Sequence, residues 1–266
     1  MEQTRYLIIG SARSGTTALH LAVLGHPNAA GLVDELRTAP LLTEGRAVFT
    51  RGKEPKHDRE WMLPAVFDAL TTLNADERTT AHGAKVVCNS PKTASAMVSV
   101  LQQQLRALKI IIVRRNDLVA QFGSGISGQR SGIMHAWNKG AQRRAVDKIT
   151  INRWQFTAFA AGRLRTYDTL SALNHSHEVL NVEYESLLDD SDGVYRSIYR
   201  FLGLSYVQPT WIAASKLLPP PDQYILNYDP LQSRLRMIKE NRVGGAEMLL
   251  SRVVAEVGRK LRQIRN

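Results

Sequence analysis

Short runs of apolar residues alternate along the chain with longer segments of helical periodicity. The apolar runs predict buried strands, over 6–9, 84–88, 109–113 and 179–182. Apolar residues recurring every three or four positions predict helices, over 16–24, 94–108, 119–128, 154–173 and 195–202. Gly203 directly follows the last of these helices, where a glycine is typical of a C-cap.

The predicted strands are apolar throughout rather than alternating, which is typical of a parallel sheet covered on both faces by helices. The fold class is therefore α/β. The length of 266 residues fits one domain over 1–266. In such sheets ligands bind at the carboxyl ends of the strands, so the residues after Ile9, Cys88 and Val113 are the first candidates for chemistry. Nothing in the pattern assigns residues 38–82.

The formal net charge of +11 indicates an anionic partner or ligand. Nucleic acid, an anionic membrane surface and a phosphorylated small molecule all satisfy it. Aromatic residues make up only 7% and do not cluster with the basic ones, which disfavours nucleic acid. The basic C-terminal run from Arg252 to Arg265 is typical of a solvated helix face, and it is also compatible with peripheral contact with an anionic membrane.

Cys88 is the only cysteine, which excludes an intramolecular disulfide and a multi-cysteine zinc site. The seven histidines show no ligand-like spacing, so no metal is expected. No apolar stretch is long enough for a secretory signal or a membrane span, which predicts a cytoplasmic protein.

A glycine-bounded loop joins the first predicted strand to the first helix, with the sequence Gly10-Ser11-Ala12-Arg13-Ser14-Gly15-Thr16-Thr17. Its spacing is that of the P-loop, whose backbone N–H groups bind phosphate at a helix N-terminus. Thr16 stands where a triphosphate enzyme has lysine, and the strongest strand ends in Arg114 rather than in a Mg²⁺-binding carboxylate. We therefore expect a P-loop-like sheet that binds an anion without an obligate metal.

The run from Arg13 to Thr17 resembles the 5′-phosphosulfate loop of the sulfotransferase superfamily, although Ala12 replaces the usual proline. The run from Arg115 to Ser124 resembles the 3′-phosphate site of bacterial trehalose and nodulation-factor sulfotransferases. Neighbours in a strand point to opposite faces, and the spacing to Ser124 favours Arg115 over Arg114. The resemblance implies that the co-substrate is 3′-phosphoadenosine 5′-phosphosulfate (PAPS).

Two later segments resemble the same family. Tyr184, in the run from Glu183 to Leu188, corresponds to a tyrosine near the adenine. The segment from Asp222 to Tyr228 resembles one that closes over the cofactor, together with Lys216. The cofactor-binding residues that the resemblance implies are Ala12, Arg13, Ser14, Gly15, Thr16, Thr17, Arg115, Ser124 and Tyr184.

The resemblance also implies catalytic residues. Val87 occupies the position of the histidine base of animal and plant cytosolic enzymes. Carbohydrate and tyrosyl-protein branches use a glutamate after the first helix, which implies Glu35 as general base, with Asp34 as the alternative. Lys85 and Arg13 are implied to stabilise the leaving group, and Lys92 lies close enough in sequence to replace Lys85.

The implied activity is transfer of a sulfuryl group to a hydroxyl, with a carbohydrate or glycolipid favoured as acceptor. A peptide tyrosine or a small natural product stays open as acceptor. An atypical P-loop nucleotide-binding protein or kinase is the alternative of a different class. The resemblance to bacterial enzymes is compatible with a homodimer.

Overall fold

The computed structural model describes residues 3–35, 41–43, 46–48, 67–68, 71–72, 75–131, 147–209 and 218–265. The chain divides into two compact units, one of Met1–Asn116 with Thr166–Ala213 and one of Asp117–Arg165 with Ala214–Asn266. The single domain expected over 1–266 stays a prediction.

Every strand and helix predicted from the periodicity has a counterpart in the described ranges, and the structure adds further elements, among them a strand over Ala29–Glu35 and a helix over Tyr228–Lys239. The strands are β1 (Thr4–Gly10), β2 (Ala29–Glu35), β3 (Leu41–Thr43), β4 (Arg46–Val48), β5 (Ala81–Val87), β6 (Lys109–Arg114) and β7 (Val179–Glu183). The helices are α1 (Thr16–Leu24), α2 (Pro91–Gln104), α3 (Leu118–Ser131), α4 (Arg153–Leu170), α5 (Tyr184–Asp189), α6 (Ser191–Leu202), α7 (Pro221–Tyr224), α8 (Tyr228–Lys239) and α9 (Gly245–Arg265).

The first unit contains the central sheet. Within the described ranges, five parallel strands form it in the order β2-β5-β1-β6-β7, and β3 and β4 form a separate antiparallel pair. The predicted α/β fold with a central parallel sheet is thus confirmed. β1 lies in the middle of the sheet, paired with β5 on one side and β6 on the other. The loop after β1 therefore lies between the ends of its two neighbours.

Both faces of the sheet are covered, as the uninterrupted apolar strands require. Leu7 and Ile9 of β1 pack with Leu101 of α2 on one face. Tyr6 and Ile8 pack with helices α1 and α6 on the other. All four of these β1 side chains are fully buried, so β1 is packed on both of its faces.

The second unit is built mainly from helices. Phe156 of α4, Ile225 after α7 and Leu235 of α8 belong to its core. An isolated bridge pairs Ile149 with Ile225. Within the described residues, no helix combines the length and the apolar character needed to cross a membrane.

Candidate active site

The loop after β1 has a backbone suited to binding an anion. Arg13 and Gly15 both have positive φ angles, of 66° and 89°. Turns of alternating hand form concave nests of N–H groups that bind anions, and the N-terminus of α1 adds its own N–H groups next to them. At Gly10 a Cβ atom would lie 2.5 Å from Cγ2 of Thr16 and 2.9 Å from the carbonyl oxygen of Val113. Only glycine fits this turn.

Neighbouring strands and helices hold the loop in place. The backbone N–H of Ala12 donates to Oδ1 of Asn89 at 2.9 Å. The hydroxyls of Ser11 and Tyr167 are 2.8 Å apart. The N–H of Cys88, just after β5, donates to the carbonyl of Gly10 at 2.7 Å. These contacts hold the loop from the segment after β5 and from α4.

Arg115, at the end of β6, lies directly against this loop. Its Nη1 donates to the carbonyl oxygen of Arg13 at 3.1 Å, and its Cζ lies 4.5 Å from the ring centre of Tyr184. The Tyr184 ring in turn packs on Gly15, where a Cβ would lie 2.7 Å from its Cδ2. The structure thus brings Arg13, Gly15, Arg115 and Tyr184 together in the first unit, whereas their roles in binding stay predictions.

Arg114 has different surroundings. Its guanidinium lies 5.6 Å from the ring centre of Tyr167, whereas that of Arg115 lies over Tyr184. Arg115 is also the more buried of the two, with 9% of its surface exposed. This geometry supports Arg115 as the arginine that reaches a ligand at the loop, although its role stays a prediction.

Polar atoms near the loop lack partners in the described part of the chain. The hydroxyl of Ser14 is fully buried and forms no hydrogen bond. The Nε atoms of Arg114 and Arg115 are likewise buried and form no hydrogen bond. Leaving such groups unpaired costs roughly 1–3 kcal/mol each. A bound phosphate or sulfate supplies oxygen acceptors for donors of this kind, so the residues fit an anionic ligand.

Glu35 and Lys85 lie side by side in the sheet. Glu35 is the last residue of β2 and pairs in register with Lys85 of β5, which also pairs with Ile8 of β1. The register of β2 shifts between Gly31 and Glu35, so the end of β2 departs from regular pairing. Lys85 is 3% exposed. Lys92, the alternative to Lys85, is exposed at the start of α2.

His20 of α1 is buried against this end of β2. Its Nε2 lies 2.7 Å from the carbonyl oxygen of Leu32, so Nε2 carries the proton that it donates. Burial, followed by the positive charge of Lys85, lowers the pKa of His20 to about 4, despite the opposing effect of the Leu32 hydrogen bond. The ring is therefore neutral near pH 7 and ties α1 to the irregular part of β2.

We expect the low pKa of His20 to make the protein sensitive to acid. Its pKa is about 4 in the folded protein and near 6.5 in the unfolded chain, so the unfolded state takes up the proton first. This site contributes its full stability above about pH 6.5 and loses it as the pH falls towards 4, by about 3 kcal/mol in total.

The measurement is the free energy of unfolding in urea at neutral and mildly acidic pH. His20→Gln retains a donor for Leu32 but does not titrate, so the loss in acid should be smaller than in the parent. His82, whose pKa burial also lowers, is unchanged in both proteins. The same acid loss in both proteins would contradict the assignment.

The other residues predicted for the site lie in the second unit or outside the described residues. Ser124 is buried on α3 and belongs to the second unit, so its pairing with Arg115 stays a prediction. The side-chain amide of Asn227 forms two hydrogen bonds with the backbone of Ile151, and the Tyr228 hydroxyl donates to Asp117. These contacts lie inside the second unit. Lys216 lies outside the described residues.

Gly15 offers a stability test of the loop. We expect Gly15→Ala to lower the free energy of unfolding by roughly 1–3 kcal/mol, because a side chain at positive φ is strained and its Cβ would meet Tyr184. Gly162→Ala, in the interior of α4, is the matched control, since no atom lies within 4 Å of the added carbon. Urea unfolding measures both changes. Equal stability of the two variants would contradict the strained loop.

Residues 6–208 match the model of the sulfotransferase family. The chain belongs to the sulfotransferase family. The predicted membership of the sulfotransferase superfamily is thus confirmed, and family and fold together support sulfuryl transfer. No curated protein matches the chain significantly.

Solved structures of other sulfotransferases are similar at low identity. An Alicyclobacillus acidocaldarius enzyme is 16% identical, with 93% of this chain and 95% of that one covered and a TM-score of 0.47. A Mycobacterium tuberculosis enzyme is 15% identical, with 88% and 77% covered and a TM-score of 0.45. A mouse sulfotransferase complexed with PAP is 12% identical, with 95% and 90% covered and a TM-score of 0.48. These TM-scores are too low to bear on the site of this sulfotransferase.

Sequence reasoning missed two residues that hold the loop. Asn89 is 77 positions from Ala12, and Tyr167 is 156 positions from Ser11. The only signal for Asn89 was its place directly after a predicted strand, and Tyr167 gave none. Among the described residues, no group of three or more His, Cys, Asp or Glu could hold a metal ion.

Proposed function

We propose that this sulfotransferase takes its sulfuryl group from PAPS and places it on a hydroxyl of a carbohydrate or glycolipid. The observation that carries the proposal is the convergence of two anion-binding elements: the guanidinium of Arg115 donates to the loop residue Arg13 and lies over Tyr184, which packs on Gly15. A nucleotide with a phosphate group at each end would use both elements. An ATP-dependent kinase is disfavoured, because this chain has Thr16 at the loop position where such enzymes have lysine.

The loop residues would hold the 5′ end of the donor. Backbone N–H groups of residues 12–17 and the hydroxyls of Ser14, Thr16 and Thr17 are the proposed donors, and Arg13 adds a positive charge. Arg115 would bind the 3′-phosphate through its unpaired Nε. Ser124 is proposed for the same phosphate on the sequence resemblance alone. Tyr184 holds Arg115 against Gly15, and its contact with adenine stays a prediction.

The proposed chemistry is an in-line displacement at sulfur. The acceptor oxygen forms a bond to sulfur while the bond from sulfur to the bridging phosphate oxygen breaks. Glu35 takes the proton of the acceptor hydroxyl, with Asp34 as the alternative base. Lys85 and Arg13 stabilise the negative charge that develops on the leaving oxygen. The register that pairs Glu35 with Lys85 supports placing base and cation close together.

The acceptor class is supported by the Arg115–Ser124 run alone, which resembles bacterial enzymes that act on sugars. A peptide tyrosine and a small natural product are the alternatives, since a glutamate base serves them equally. A homodimer is proposed only from the resemblance to bacterial enzymes, and a cytoplasmic location only from the lack of a long apolar stretch in the sequence.

The test is transfer of radioactive sulfate from labelled PAPS in the presence of a metal chelator. The acceptor panel contains a disaccharide, a glycolipid, a tyrosine peptide and a simple phenol. We expect label on the sugar-containing acceptors. Label on the peptide or the phenol alone would overturn the acceptor class. Transfer to none of them, with PAPS bound, would show that the acceptor lies outside the panel's classes and equally overturn the carbohydrate proposal.

A further inference from the structure

Helix α9 carries a row of apolar side chains on its exposed side. Leu249, Leu250, Val253 and Val257 are exposed by 63%, 48%, 51% and 50%. At 100° per residue they all fall within one sector of about 100°. The opposite side of the helix is packed, because Ser251 is fully buried there. One side therefore anchors α9 to the second unit, and the other presents aliphatic surface.

This concentration of apolar surface sets α9 apart from the other described helices. Elsewhere in the described chain, the exposed large hydrophobic residues are scattered singly, at Leu188, Leu226 and Met237. Single exposed apolar residues are ordinary, whereas a contiguous group marks an interaction site. The apolar row on α9 therefore indicates a binding surface.

The charge of the helix indicates which partner. α9 contains five basic residues, at 252, 259, 260, 262 and 265, and two acidic ones. Arg252, Glu256 and Lys260 are exposed in or beside the apolar row. Of the two acidic residues, Glu247 is engaged by Arg234 at 2.7 Å and by Arg153 at 3.3 Å. The exposed side therefore combines aliphatic groups with two basic residues and one acidic residue, and the net charge of +3 of the whole helix complements an anionic surface.

A second copy of this chain is disfavoured as the partner, because pairing two α9 helices would bring together two helices of net positive charge. A protein interface of high affinity also typically centres on tryptophan, tyrosine or arginine anchors in pockets, whereas this row contains only leucine and valine. Aliphatic side chains flanked by Lys and Arg are typical of helices that lie in the interface of a bilayer.

We propose that α9 docks this sulfotransferase on anionic lipid bilayers, with the apolar row in the boundary between headgroups and acyl chains. Leu249 and Val253 enter that boundary, and Arg252 and Lys260 bind the anionic headgroups. The proposal does not depend on the identity of the sulfuryl donor. Each basic residue near such a surface strengthens binding roughly fivefold.

The experiment is co-sedimentation of the full chain with phosphatidylcholine vesicles, with and without phosphatidylglycerol. We expect binding only to the anionic vesicles, weakened by salt. Leu249→Asp/Val253→Asp should bind at least tenfold more weakly, since it places two charges in the apolar row. Arg252→Glu/Lys260→Glu should bind more weakly by a similar factor with the row intact.

Met237→Asp is the matched control, because Met237 is 37% exposed in the same unit but lies outside α9. It should bind vesicles like the parent, and all variants should keep the affinity for 3′-phosphoadenosine 5′-phosphate (PAP). The proposal is overturned if the parent does not bind anionic vesicles, or if the Leu249/Val253 variant binds equally well. It is also overturned if that variant converts a dimer to a monomer without changing vesicle binding.

Discussion

Glu35→Gln is expected to lower kcat by a factor of about 10²–10⁴, the usual contribution of a positioned general base. Gln keeps the size and polarity of Glu35 but cannot take the proton of the acceptor hydroxyl. The affinity for PAP should stay within about threefold of the parent, because the proposed base is not among the residues that bind the nucleotide. Single-turnover transfer from PAPS measures the chemical step directly.

Asp34→Asn is the matched comparison for this prediction. Asp34 precedes Glu35 at the end of β2 and is the alternative base. If Asp34→Asn shows the large loss and Glu35→Gln keeps more than a tenth of the parent rate, the base is Asp34 and the assignment of Glu35 is wrong. If neither variant loses activity, the carboxylate mechanism itself fails.

Arg115→Ala is expected to weaken PAP binding roughly hundredfold. Hydrogen bonds to charged groups contribute about 1.5–3 kcal/mol each, and a guanidinium can form two with one phosphate. Arg115→Lys should lose an intermediate factor, because lysine keeps the charge without the planar fork. Calorimetric titration with PAP measures each dissociation constant.

Arg114→Ala is the matched control for Arg115→Ala, since it removes the same group one residue earlier, where the guanidinium lies near Tyr167 rather than Tyr184. We expect its affinity for PAP to stay within about tenfold of the parent. A larger loss for Arg114→Ala than for Arg115→Ala would reverse the assignment. Thermal melting separates lost binding from lost folding, and Arg115→Lys, which keeps a positive charge at this position, gives a second check.

The strands of the central sheet could be predicted because burial on both faces leaves an uninterrupted apolar run, as in β1 and β6. Strand β2 could not be predicted in this way, because it contains Gly31 and two carboxylates instead of an apolar run. Its pairing with β5 is also irregular. Helix α2 begins at Pro91 rather than at Ala94, because Ser90 caps it by accepting a hydrogen bond from the N–H of Thr93. Such local caps override apolar periodicity at helix ends.

The glycine-bounded loop and the strand-end arginine could be located from the sequence because each lies in one contiguous stretch, although their roles in binding phosphate stay predictions. Their mutual contact could not be derived from spacing alone, since Arg115 meets Arg13 across 102 positions. Lys85 was found only through the family resemblance, because a lysine in an apolar strand gives no periodic signal. Its burial beside His20 and its register with Glu35 come from the packing of α1 and β2 around the sheet.

The most direct measurement is calorimetric binding of PAP to the purified chain without metal, compared with ATP and Mg²⁺. The account predicts that PAP binds in the presence of a chelator and more tightly than ATP·Mg²⁺, because the loop lacks the lysine of triphosphate enzymes and Arg115 serves a second phosphate. Tighter binding of ATP·Mg²⁺, or no measurable binding of PAP, would contradict it.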